Sequence, residues 1–234
     1  MILTSTVRLA AGDGHTFPAY SAGPDTRPGR GGIVLLHEIF GINRYMRTMA
    51  EIFAAQGFQA LVPDLFARQE ADVELDYAGE NFTHAIELRD NLDLSTAVLD
   101  ISAAIQWLRR SEWGNGRVGA LGYCLGGGLA ILAAANTDVD TAVSYYGVGV
   151  QDRLDLAEQI DVPVQFHFAE NDHYCPPEAR TAITEAFAEN PEVEFYRYPG
   201  ADHAFATFER DTFDSAATDL AFERTLLHLQ RWLD

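Results

Sequence analysis

The sequence predicts an α/β chain: a mostly parallel central sheet with helices on both faces and an N-terminal β-hairpin at the sheet edge. Three observations carry this. Apolar runs of strand length recur at Ile33–Leu36, Phe58–Val62, Val118–Gly122, Thr141–Tyr145, Val164–Phe168 and Val193–Tyr198. Segments of helical length separate them, and alternation of strand and helix favours parallel pairing because each crossover returns the chain to the same end of the sheet. The run Ile33-Val34-Leu35-Leu36 is apolar without alternation, as a strand buried on both faces must be.

Taken in order, Thr6–Leu9 and His15–Tyr20 flank Gly12-Asp13-Gly14, a hairpin signature, and a Gly/Pro-rich connector, Gly23–Gly32, leads into the first parallel strand. That strand ends in His37-Glu38-Ile39-Phe40-Gly41, polar groups at the carboxyl end of a strand, where open α/β sheets bind ligands. Asn43 is placed to cap a helix running to Gln56, with Gly57 as its stop. Residues Leu65–Asn91 show poor periodicity and predict an excursion over the site with a short helix around Phe82–Arg89. From Asp93 to Arg110 the positions Leu94, Val98, Ile101, Ile105 and Leu108 fall at helical spacing. Asn115-Gly116 turns the chain into the next strand, and later helices fit Pro177–Glu189 and Ser215–Leu233.

Composition bounds the function. A chain of 234 residues, 47% hydrophobic and 22% charged, can bury a full core, and a single domain spanning 1–234 is expected. The formal net charge of -19 and pI near 4.5 exclude nucleic acid and anionic membrane as partners, since both need clustered cations. No apolar run approaches the roughly 20 residues of a membrane span, and the N-terminus lacks the basic and apolar segments of a signal peptide. A cytoplasmic protein, monomer or small homo-oligomer, is expected. Cys124 and Cys175 make no disulfide framework, no Cys-x-x-Cys pair suggests zinc, and His37, His173 and His203 lack His-x-x-x-His spacing, so neither metal nor cofactor is expected.

The chemistry centres on Val118-Gly119-Ala120-Leu121-Gly122-Tyr123-Cys124-Leu125-Gly126. A strand ends in Gly-x-Cys-x-Gly and a helix follows, which places a nucleophile on a sharp turn with helix amides directed at it. Gly122 and Gly126 flank Cys124 where the backbone passes too close to itself for a Cβ. A thiol nucleophile needs a base and a group that orients the base. Two strand-end loops supply candidates: Glu170, Asp172 and His173 after one strand, Asp202 and His203 after the last. The order Cys124, Asp172, His203 is nucleophile, acid, histidine. Glu170 remains a rival acid and His173 a rival base, although His173 precedes the final strand.

With His37-Glu38-Ile39-Phe40-Gly41, Gly122-Tyr123-Cys124-Leu125-Gly126-Gly127, Tyr145-Tyr146-Gly147-Val148-Gly149, Asp172-His173 and Gly200-Ala201-Asp202-His203-Ala204-Phe205, the chain resembles the dienelactone hydrolase family of α/β-hydrolases from about Gly14 to Leu233. The resemblance implies an α/β-hydrolase fold and a Cys124, His203, Asp172 triad that opens esters or lactones through a thioester. It further implies that Glu38 contacts and helps to activate the resting thiol, and that the amides of Ile39 and Leu125 form the oxyanion hole. Relatives that hydrolyse dienelactone carry two arginines that grip its carboxylate. Thr207 stands at one of those positions, with Arg210 the first arginine beyond it; Phe82 falls nearest the other, with Arg89 as a surrogate. Substrate contacts are therefore expected from Phe82, Tyr146 and Thr207, and Phe66, Tyr77 and Phe82 of the excursion suit a more apolar or aromatic ester. The same triad also serves a thioesterase, and a ligand-binding or thiol-sensing protein is the non-enzymatic alternative.

Overall fold

The computed structural model describes residues 1–25 and 29–234. The expected connector Gly23–Gly32 thus lies partly outside the described residues. Eight strands form one sheet in the order β1-β2-β4-β3-β5-β6-β7-β8. β1 (Ile2–Ala10) and β2 (Thr16–Pro24) are the hairpin, antiparallel to each other, and β2 is antiparallel to β4 (Gln59–Pro63). β3 (Gly32–Leu36), β4, β5 (Val118–Tyr123), β6 (Thr141–Tyr145), β7 (Val164–Asn171) and β8 (Val193–Asp202) run parallel.

Alternation along β3 divides the core. Val34 and Leu36 face one side, packed with Ile101, Ile105 and Leu108 of α3 (Leu94–Arg109), with α4 (Leu125–Asn136) and with Ile183 of α5 (Pro177–Ala186). Ile33 and Leu35 face the other, against α1 (Arg44–Ala55) and α6 (Ser215–Leu233). Both faces of every central strand are thereby removed from water, which is why these strands read as continuous apolar runs.

Helix starts follow capping chemistry. Asn43 Oδ1 accepts from Met46 N–H at 3.2 Å, and Asp93 Oδ1 accepts from Ser95 N–H at 2.8 Å. Gly57, with φ +93°, stops α1 after Gln56. The helix of the excursion, α2 (Gly79–Asp90), starts earlier than the expected Phe82 because its buried residues, Ala85 and Leu88, give only a faint apolar stripe from which to read a boundary. β7 and β8 run past the expected Phe168 and Tyr198, pairing as far as Asn171 and Asp202 through a register shift. The excursion is tied to the loop after β3: Ile42 N–H donates to Val73 O and Leu75 N–H to Phe40 O, each at 3.0 Å. No described helix is long and apolar enough to cross a membrane.

Candidate active site

Cys124 caps the N-terminus of α4 at φ 55°, ψ -115°. A non-glycine residue held at positive φ is strained, and such strain persists only where the surroundings over-determine it. Here the Cys124 N–H donates to Tyr145 O at 3.1 Å, while its carbonyl accepts from Gly127 and Val148 at 3.0 Å each. A Cβ on Gly122 would run into the Gly126 carbonyl, and one on Gly126 into the Leu36 carbonyl, so no other residue closes this turn. Tyr146 and Ala204, beside the ends of β6 and β8, also have positive φ. Three of the four described non-glycine residues with positive φ therefore surround one point at the carboxyl end of the sheet.

His203 Nδ1 lies 2.8 Å from Asp172 Oδ2, with both side chains buried. Because a carboxylate only accepts, Nδ1 carries a proton, and in the neutral ring Nε2 is then the nitrogen with the free lone pair. Nε2 is buried without a hydrogen-bond partner. Asp172 Oδ1 accepts from Tyr174 N–H at 2.9 Å, and the rings of Tyr146 and Tyr174 meet His203 edge-on at 5.1 and 4.7 Å, so the imidazole is held on three sides. The rival acid Glu170 accepts from Gly200 N–H at 2.9 Å, and the rival base His173 is exposed, 6.4 Å from the His203 ring.

Cys124, His203, Leu125 and Ile39 line one pocket, together with Phe82, Arg89, Val148, Tyr174 and Arg210. Burial pushes the Cys124 thiol well above its ordinary range; the charge of Glu38 adds to this, and the Leu125 amide and Arg210 oppose it. Burial and the Glu38 charge thus both favour the protonated thiol at Cys124. Burial likewise raises Glu38 to about 7, against the pull of Arg210 and Thr207. Thr207 Oγ1 donates to Glu38 Oε2 at 3.3 Å and meets the Tyr146 hydroxyl at 3.3 Å. Thr207 is fully buried beneath the pocket, whereas Phe82 opens onto it. Both cysteines are free thiols.

His37 joins the site to the excursion. Its Nδ1 is 2.5 Å from Glu38 O and its Nε2 accepts from Leu65 N–H at 3.2 Å, which again fixes the proton on Nδ1. Burial drives its pKa down to about 4, so the ring stays neutral. Neither this brace nor the Tyr174 ring on His203 carries a signal in the sequence, because each depends on a contact between segments that only the fold brings together.

The dienelactone hydrolase family matches residues 17–233. A carboxymethylenebutenolidase of Pseudomonas putida is 39% identical over 226 residues, 96% of this chain and 95% of its own length. Carboxymethylenebutenolidase 1 of Cupriavidus pinatubonensis (strain JMP 134 / LMG 1197) is 37% identical over 226 residues, 96% of each chain. A crystal structure from Klebsiella pneumoniae subsp. pneumoniae MGH 78578, 24% identical, superposes with a TM-score of 0.89 over 99% of this chain and 100% of its own, which establishes the fold. On the family match and these identities, the chain belongs to the dienelactone hydrolase family, hydrolases of ester and lactone bonds that use a cysteine nucleophile.

Proposed function

We propose that Cys124, His203 and Asp172 form a triad that hydrolyses uncharged carboxylic esters or lactones through a thioester. The observation that carries this is the buried, unpartnered Nε2 of His203, oriented by Asp172 and lining the same pocket as Cys124. His203 Nε2 takes the thiol proton as Sγ attacks the carbonyl carbon, and the negative oxygen forms against the Ile39 and Leu125 amides. The tetrahedral species collapses, and the imidazolium protonates the departing oxygen. Water, deprotonated by His203, then cleaves the thioester, releasing the acid and restoring the thiol. Glu38 makes no hydrogen bond to the resting Cys124, but its free Oε1, on a carboxyl raised to about 7, is a stronger base than an ordinary carboxylate and helps to draw the proton once the thiol turns toward it.

Two arginines line the pocket, and neither is free to hold a substrate carboxylate. Arg210 Nη1 faces Glu38 Oε1 at 3.8 Å, and Arg89 Nη2 pairs with Asp90 at 2.6 Å. Each is opposed by a carboxylate, so neither is an unopposed cation for a substrate carboxylate. Phe82 contacts the substrate, while Tyr146 and Thr207 shape the pocket through His203 and Glu38. A panel of lactones and esters, each with and without a carboxylate, tests the reading: the neutral member of each pair is expected to turn over faster. Hydrolysis that is as fast after Cys124→Ala as before would overturn it.

A further inference from the structure

We infer that the acyl chain of the substrate runs from the Cys124 pocket into a second cavity behind Leu125 and Val148, so that this protein takes neutral esters with an extended apolar acyl group. The inference rests on the triad reading. The pocket at Cys124 has free space of about 20 Å³, room for one water and for little of any ester. Arg89, Leu125 and Val148 also line a neighbouring cavity of about 430 Å³, and these three side chains form the wall between the two. Beyond that wall the cavity is floored by Leu92, Leu129, Leu132 and Val150.

The direction follows from which residues are shared. His203 and Tyr174 line the Cys124 pocket but not the second cavity. His203 protonates the leaving oxygen, so the alcohol departs on its side and the acyl chain is left facing the Leu125 and Val148 wall. The chemistry follows from the rim. Its charges come as adjacent opposite pairs, Arg89 with Asp90 and Asp152 with Arg153, so a leucine and valine floor is ringed by no net charge. Arg153 is held by donation to Gly149 O at 3.0 Å. Arg89 stands in the last turn of α2, a helix that buries only Ala85 and Leu88, and its carboxylate partner is its own neighbour, Asp90.

The test measures kcat/KM for p-nitrophenyl esters from acetate to octanoate in the wild-type enzyme and in Leu132→Trp, which fills the cavity from α4. Each methylene that reaches the cavity is expected to raise kcat/KM about fourfold. The Leu132→Trp variant is expected to lose the rise, with circular dichroism and its urea midpoint reporting folding. Lengthening the alcohol instead, from ethyl to octyl acetate, should change little. A flat acyl series with Cys124-dependent acetate hydrolysis overturns this inference and leaves the triad standing. If no ester is turned over in a Cys124-dependent way, the triad reading fails, and calorimetric titration with the neutral octanamide decides the cavity: no binding, or binding unchanged in Leu132→Trp, overturns it.

Discussion

Glu38 Oε1 sits 3.8 Å from Arg210 Nη1 and accepts no hydrogen bond, so this buried carboxylate faces a cation without being fully satisfied by it. Thr207 supplies its one hydrogen bond, to Oε2. The group is held in an ionisation balance that ordinary surface carboxylates do not have.

That balance carries a stability cost with a definite sign. The folded-state pKa of Glu38 is raised from 4.5 to about 7. Well below 4.5 the carboxyl is protonated in both folded and unfolded chains and contributes nothing. As pH rises to about 7 the unfolded chain ionises first, and stability falls by about 3 kcal/mol as an upper figure. Glu38→Gln is therefore expected to stabilise the protein by about 1–3 kcal/mol at pH 8 and by little at pH 4.5, measured by urea unfolding at each pH. A gain independent of pH would contradict the assignment.

The same carboxylate restrains the thiol. Burial and the Glu38 charge both hold Cys124 protonated. Iodoacetamide is thus expected to alkylate Cys124 at pH 8 at least tenfold more slowly than free cysteine, whose pKa is about 8.5. Glu38→Gln is expected to speed alkylation while slowing ester turnover, because one term of the restraint and the auxiliary base are lost together. Faster alkylation of the wild-type enzyme than of free cysteine would contradict a protonated resting thiol.

His37 braces the loop that carries Glu38 and Ile39. Leucine at this position would leave Glu38 O and Leu65 N–H buried without partners, at about 1–3 kcal/mol for each. Glutamine carries an amide N–H donor and a carbonyl acceptor with which to replace both bonds. Urea midpoints should therefore show His37→Leu destabilised by at least about 2 kcal/mol and His37→Gln within about 1 kcal/mol of wild type. Equal losses in both would mean that ring packing against Phe66, 5.0 Å away, matters more than the hydrogen bonds.

The parts legible in the sequence are those with local causes. The turn at Cys124 announces itself through Gly122, because a Cβ there would collide with the Gly126 carbonyl four residues on, whereas the collision that excludes a Cβ at Gly126 is with the distant Leu36 carbonyl. Asn43 and Asp93 mark helix starts because capping spans only two or three residues. Thr207 could not be read in this way: its partner Glu38 is 169 positions away, and nothing nearby reveals that its hydroxyl turns inward. Arg210 reaches the pocket through the turns that follow His203, and Arg89 through a helix with almost no apolar stripe. The short 3-10 helix Leu154–Gln159 buries none of its residues and so leaves no period to detect.

The most direct test of the central claim is intact-mass spectrometry of acid-quenched enzyme during turnover of p-nitrophenyl butyrate, with peptide mapping of any adduct. The account predicts a butyryl adduct on Cys124 that disappears when substrate is exhausted, does not form in His203→Ala because the thiol keeps its proton, and is absent in Cys124→Ala together with activity. Undiminished turnover by Cys124→Ala, or an acyl group mapped to another residue, would contradict it.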